Sequence, residues 1–142
     1  MPTYSATDLT TKAVNNPQRG NAVTYFGTVA NGTNVATADK LRACVVPAGT
    51  IVTDVVIRNT TFGTTAPATI QFEPLDGTTA TSFTATDDVT LQTASKGTVF
   101  GGNAGAVRLT KDSYLTLLVG TVSAGGQGTA YVTVHGEGVG VA

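Results

Sequence analysis

The chain has 142 residues, enough for one domain with a sizeable core, yet only 12% of them are Asp, Glu, Lys or Arg, about half the usual soluble share. In place of charge stand 17 Gly and 28 Thr, a β-branched polar residue suited to strands. A net charge of −1 gives no basic excess for nucleic acid, no apolar run approaches a membrane span, and the scarcity of Glu, Lys and Leu argues against helical bundles.

Taken in chain order, residues 1–20 carry few large apolar side chains and read as an N-terminal arm. Ala6 to Val14 has the material for a helical turn or two, opposed by Thr7, Thr10 and Thr11. The opening Met1-Pro2-Thr3-Tyr4-Ser5 has neither the basic nor the apolar region of a signal peptide, so synthesis in a cytoplasm is expected. Residues 21–136 alternate with period two and predict a β-sandwich domain. Strands are expected near 22–29, 40–46, 51–58, 68–73, 79–84, 89–94, 107–109, 114–119 and 130–135. In the second of these, Leu41, Ala43 and Val45 are expected on one face and Arg42, Cys44 and Val46 on the other. In the third, Ile51, Thr53, Val55 and Ile57 oppose Val52, Asp54, Val56 and Arg58. Tyr114 to Val119 is apolar on both faces, as a central strand requires.

Turn chemistry separates the strands. Val46-Pro47-Ala48-Gly49 suits a type I turn, and Asp76-Gly77 signals a hairpin. Two glycine-rich connectors follow, at 101–105 and 124–128. The whole predicts an all-β, antiparallel, jelly-roll-like sandwich of eight or nine short strands. Residues 137–142, with Gly at every second position from 136 to 140, read as a flexible tail.

The chemical inventory is sparse. His135 is the one histidine and Cys44 the one cysteine, which leaves no disulfide and no zinc cluster. There is no G-x-S-x-G elbow, and the glycine clusters lack the Lys-Ser/Thr of a phosphate loop. Asp87-Asp88 is the one acidic doublet, a possible calcium ligand pair, but adjacent side chains diverge in an extended chain. Asn31-Gly32-Thr33 and Asn59-Thr60-Thr61 match the glycosylation pattern by composition alone. Arg42, Arg58 and Arg108 alternate with apolar neighbours, either on a solvated face or poised for a partner's carboxylates. The reading is therefore of a non-enzyme with no catalytic residue, metal or cofactor.

Leu41 to Ile57, with its strand, Pro-x-Gly turn and β-branched strand, is followed by Ala68–Leu75 and Asp76-Gly77. Later come Tyr114 to Gly120 and Tyr131 to Glu137. This layout resembles the capsid decoration, or cement, proteins of tailed bacteriophages. The resemblance implies a homotrimer on the outer surface of the virion that clamps neighbouring subunits of the major capsid protein, with no nucleic-acid or membrane partner. For partner contact the arm offers Tyr4, Leu9 and Arg19, since Tyr and Arg are enriched at interfaces. For the subunit interface the second strand faces offer Val52, Val56 and Arg58, because exposed β-branched residues call for cover. The alternative reading is a carbohydrate-binding or adhesin module of a phage tail. Sugar platforms expose aromatic faces, however, and this chain has 6% aromatics and no Trp.

Overall fold

A computed structural model describes residues 2–5 and 22–138. The strands are β1 (Thr3–Ser5), β2 (Ala22–Ala30), β3 (Lys40–Val46), β4 (Thr50–Asn59), β5 (Pro67–Pro74), β6 (Thr81–Ser82), β7 (Val89–Thr90), β8 (Ser95–Gly101), β9 (Val107–Arg108), β10 (Ser113–Val119) and β11 (Thr129–Gly138). They form two packed sheets. The front sheet runs β2-β11-β4-β8, with β9 also on β4; the back sheet runs β1-β3-β10-β5-β6, with β7 also on β5. The long strands cross from sheet to sheet in succession, and the last, β11, returns beside β2. That is the connectivity of a jelly roll. All pairings are antiparallel except β1 with β3.

The alternation expected from the sequence builds the core. Val23, Tyr25 and Val29 point in from β2; Ala68, Ile70 and Phe72 from β5; Ala130, Val132 and Val134 from β11. Phe62, Phe72 and Phe83 are fully buried, the last two edge to face with centroids 5.7 Å apart, the arrangement that suits aromatic quadrupoles. β10 lies between β3 and β5, in agreement with its two apolar faces. At Gly27 the two sheets pinch together. A Cβ there would stand 1.9 Å from the Ala43 carbonyl oxygen, so only glycine lets β2 lie against the β3 backbone.

The expected phase fails at two places, for one reason. On β3, Cys44 faces Leu115 while Arg42 faces Thr116, so Ala43 is an extra residue. On β4, Asp54 faces His135 while Val52 faces Gly136, so Thr53 is extra. Each is a β-bulge, which shifts the alternation by one residue. Ala43 and Cys44 are consequently both buried, and Val45 rather than Cys44 turns outward. On β4, Val52 joins Val55 and Ile57 in the core instead of sharing a face with Val56 and Arg58.

The remaining differences lie at the margins. β8 was not expected, and residues 79–84 and 89–94 contribute only the short β6 and β7. β11 runs to Gly138, past the expected boundary at residue 136. The Pro47-Ala48-Gly49 turn carries the chain from back sheet to front, with Gly49 at φ 85° and its N–H donating to the Leu109 carbonyl. The Asp76-Gly77 turn leads from β5 to β6, with Gly77 at φ 81°. Asn31 and Asn59 are buried, and their side-chain amides donate to Gly126 O and to Leu91 O and Thr93 O. As buried loop braces, both accord with the reading of the two glycosylation-pattern matches as chance in a Thr-rich chain.

Candidate interaction surface

The outward residues of the front sheet fall into rows set by strand register. Phe26, Thr133, Val56 and Val99 stand side by side across β2, β11, β4 and β8. Phe26 and Val99 are each 64% exposed. Single exposed apolar residues are ordinary; here the two stand at opposite ends of one row, with half-buried Thr133 and Val56 between them, a surface on which apolar area is available to a partner. In the next row Thr28, Tyr131 and Arg58 face one another. The Arg58 guanidinium lies 4.3 Å from the centroid of the Tyr131 ring, a cation–π contact that covers apolar surface and keeps a charge at the rim. On the other side Thr24, His135 and Asp54 make the third row. Asp54 Oδ1 is buried there without a hydrogen-bond partner.

The back sheet treats its outer face differently. Lys40 Nζ and Arg42 Nε each reach Glu73 at 2.7 Å, on Oε2 and Oε1. Arg42 also lies 4.6 Å from the Tyr114 ring centroid. Burial of Glu73 would raise its pKa; the hydrogen bonds from Arg42 and Lys40, with their charges, outweigh burial and hold the carboxyl below its ordinary value. At the hairpin after β5, Asp76 accepts from the Thr78 hydroxyl and N–H and pairs with Lys111 at 2.9 Å. These contacts, the Thr78 hydroxyl foremost, keep its carboxyl well below the usual carboxylate range.

Among the residues expected at interfaces, Val56 and Arg58 lie on the front face, in adjacent rows. Val52 does not: it is fully buried, because the bulge at Thr53 turns it inward, so its side chain is not available to a neighbouring subunit. Tyr4 is on β1, half-buried against the core, with its hydroxyl bonded to that of Thr33. Leu9 and Arg19, with the turn expected over Ala6 to Val14, lie outside the described residues. Arg42 finds its carboxylate within the chain. Phe26 and Val99 were missed, although outward phase in β2 was open to inference from Val23, Tyr25 and Val29.

The possible chemistry elsewhere is modest. Among the described residues, no group of three or more His, Cys, Asp or Glu is placed to hold a metal ion. Asp87, at φ 59°, donates its N–H to Thr69 Oγ1. Its carboxylate lies against Gly120, where a Cβ would come within 2.2 Å of Oδ1. Cys44 is buried.

No protein-family model matches the sequence, and no curated protein matches it. Solved structures do. A chain of the cyanophage Pam1 capsid asymmetric unit aligns at TM-score 0.63 and 21% identity, over 89% of this chain and 91% of that one. A chain of the capsid of Ralstonia phage GP4 aligns at TM-score 0.68 and 12% identity, over 99% of both. At such identities the likeness is one of fold, and it runs the length of each chain.

Proposed function

We propose that this protein is a non-enzymatic structural component of a bacteriophage virion, bound as a trimer on the outer capsid surface, where it cements neighbouring major capsid subunits. The observation that carries this reading is the end-to-end match of its jelly roll to chains taken from two phage capsids. The front face supports it: the row of Phe26, Thr133, Val56 and Val99 carries no charge, with Arg58 and Asp54 in the rows beside it, so contact along that row has few charges to desolvate and short β-branched side chains with little rotamer freedom to lose. Cementing acts through multivalency. Each subunit makes a modest contact, and a trimer joined to several shell subunits holds more tightly than any one contact. In this reading Val56 and Arg58 belong to the subunit interface, while Leu9 and Arg19 of the arm, residues 1–20, reach the shell. The chain is made in the host cytoplasm and joins the virion from there. The adhesin alternative is not favoured, because Arg58 occupies a face of Tyr131 on which a sugar would stack.

The test is co-sedimentation of the purified chain with empty shells of the major capsid protein encoded in the same genome, with light scattering on the free chain. Saturable pelleting and a trimer mass are expected. A chain that stays in the supernatant at every shell concentration overturns the capsid role, and a strict monomer overturns the trimer.

A further inference from the structure

Two cavities differ in the charge of their walls. The one beside β8 is lined by both Asp88 and Lys96, so charge selects no ligand there. The other, of about 280 Å³, lies where the turn after β5 meets the segment joining β9 to β10. Phe72, Pro74 and Leu109 form its buried apolar floor. Its charged residues are both cations, Arg108 and Lys111, and no Asp or Glu lines it.

The neighbouring carboxylates do not answer both cations. Asp76 pairs with Lys111 at 2.9 Å from outside the lining. Asp112 Oδ1 accepts from the Ala48 N–H. Glu137 shares a row with Arg108, but Ile51 of β4 stands between them. Arg108 makes no ion pair among the described residues, so with Asp76 set against Lys111 its charge is left over. Hydroxyls surround it. That of Thr78 is engaged by Asp76 and Lys111, and that of Ser113 by the Lys111 carbonyl. Those of Thr79, Thr81 and Thr110 have no hydrogen-bond partner among the described residues. We propose that this cavity binds a phosphate group, held by the Arg108 guanidinium and by the threonine hydroxyls.

The chemistry selects the ligand. A guanidinium fork satisfies both oxygens of a planar carboxylate by itself, which would leave the threonine hydroxyls idle. A tetrahedral oxyanion has oxygens for the fork and for the hydroxyls together. The volume lies just under the range of small-molecule sites, which suits free phosphate or the phosphate ester of a small molecule. Nothing in this argument draws on the capsid reading.

The full isotope-labelled chain is titrated with sodium phosphate, at ionic strength held constant with sodium chloride, and followed by NMR. Saturable binding in roughly the millimolar range is expected, with shifts centred on Thr79, Thr81, Arg108 and Thr110. Arg108→Gln, at an exposed position, is expected to weaken binding by about tenfold. The double variant Thr81→Val and Thr110→Val removes hydroxyls and no charge, and should weaken it by about fivefold. Asp76→Asn releases Lys111 and should tighten it by about threefold. Glycerol phosphate identifies the source: tighter binding than inorganic phosphate assigns the site to an ester, equal or weaker binding to the free ion. Three results overturn the proposal: no saturable shift, acetate binding as tightly as phosphate, or undiminished affinity in either Arg108→Gln or the double threonine variant. Because the assay contains no capsid, its failure leaves the proposed capsid role intact, and the reverse also holds.

Discussion

The two sheets present opposite outer faces to the surroundings. The back sheet settles its charges internally: Lys40 and Arg42 close on Glu73, and Tyr114 lies under Arg42. The front sheet leaves Phe26 and Val99 open at the ends of one row, with Arg58 answered by a ring rather than by a carboxylate. A face whose polar groups are already paired gains little from a partner, since docking would desolvate those pairs. A face of apolar and hydroxyl groups gains by being covered, at about 25 cal/mol per Å² of apolar surface. In the proposed reading the contact role falls to the front sheet, and each experiment below separates the two faces or the two sides of one strand.

The largest effect is expected within β4. Val52→Asp places a carboxylate in the fully buried core and should cost more than about 4 kcal/mol, enough to prevent folding. Val56→Asp, on the outer face beyond the bulge, should change monomer stability by no more than about 1 kcal/mol, yet abolish self-association. Urea denaturation and light scattering on both variants decide the matter. Equal losses of stability would mean that Val52 and Val56 share a face after all.

On the back sheet, Glu73→Gln leaves Lys40 and Arg42 without their counter-charge. A loss of about 1–2 kcal/mol is expected, below the figure for a fully buried pair because both cations remain partly solvated. The pH dependence has a definite sign. The Glu73 pKa is lower in the folded chain than its ordinary value of 4.5, so its stabilisation is complete above that pH. It is lost as pH falls through the folded value. Urea midpoints measured from pH 7 downward should drop more steeply for the parent chain than for Glu73→Gln, and parallel curves would remove Glu73 from the account.

Phe26→Ser is the front-sheet counterpart. With the side chain 64% exposed, the monomer should lose less than about 1 kcal/mol. Association or shell binding should weaken by up to about tenfold, as one desolvated aromatic is removed. Unchanged sedimentation at all concentrations would take the apolar row out of the interface.

How much of this was legible in the sequence follows from what each feature depends on. Alternation in β2 and β11 was readable because each strand has one buried and one more open face, and in β5 because polar and apolar residues alternate although both of its faces are buried. β10 was readable as central from its apolar run. β8 was not: as an edge strand exposed along most of its length, it needs no alternation. The bulges at Ala43 and Thr53 left no local mark, since either residue fits either phase, and the choice is made by the partner strand. For the same reason Val52 looked outward from the sequence. Lys40, Arg42 and Glu73 lie 33 and 31 residues apart in sequence, and only the β3-β10-β5 order brings them together. The front-face row likewise exists only once four registers are known, though each outward residue could be inferred within its own strand.

The smallest effect is expected at the turn after β5, a part of the back sheet open to solvent. Asp76 accepts two hydrogen bonds from Thr78 and pairs with Lys111, and these contacts depress its pKa, the Thr78 hydroxyl most. Asp76→Asn keeps an acceptor oxygen for Thr78 and removes the charge that Lys111 meets. Because the group is exposed, solvent screens the pairing, and the fall in Tm should be smaller than for Glu73→Gln. The parent's advantage should be present at neutral pH and vanish in acid, where the carboxylate of the folded chain is protonated. Added salt should also shrink it, while leaving the front-face association nearly unchanged. If instead salt dissolves the association and spares the turn, the division of labour between a charge-settled back face and an apolar front face is reversed.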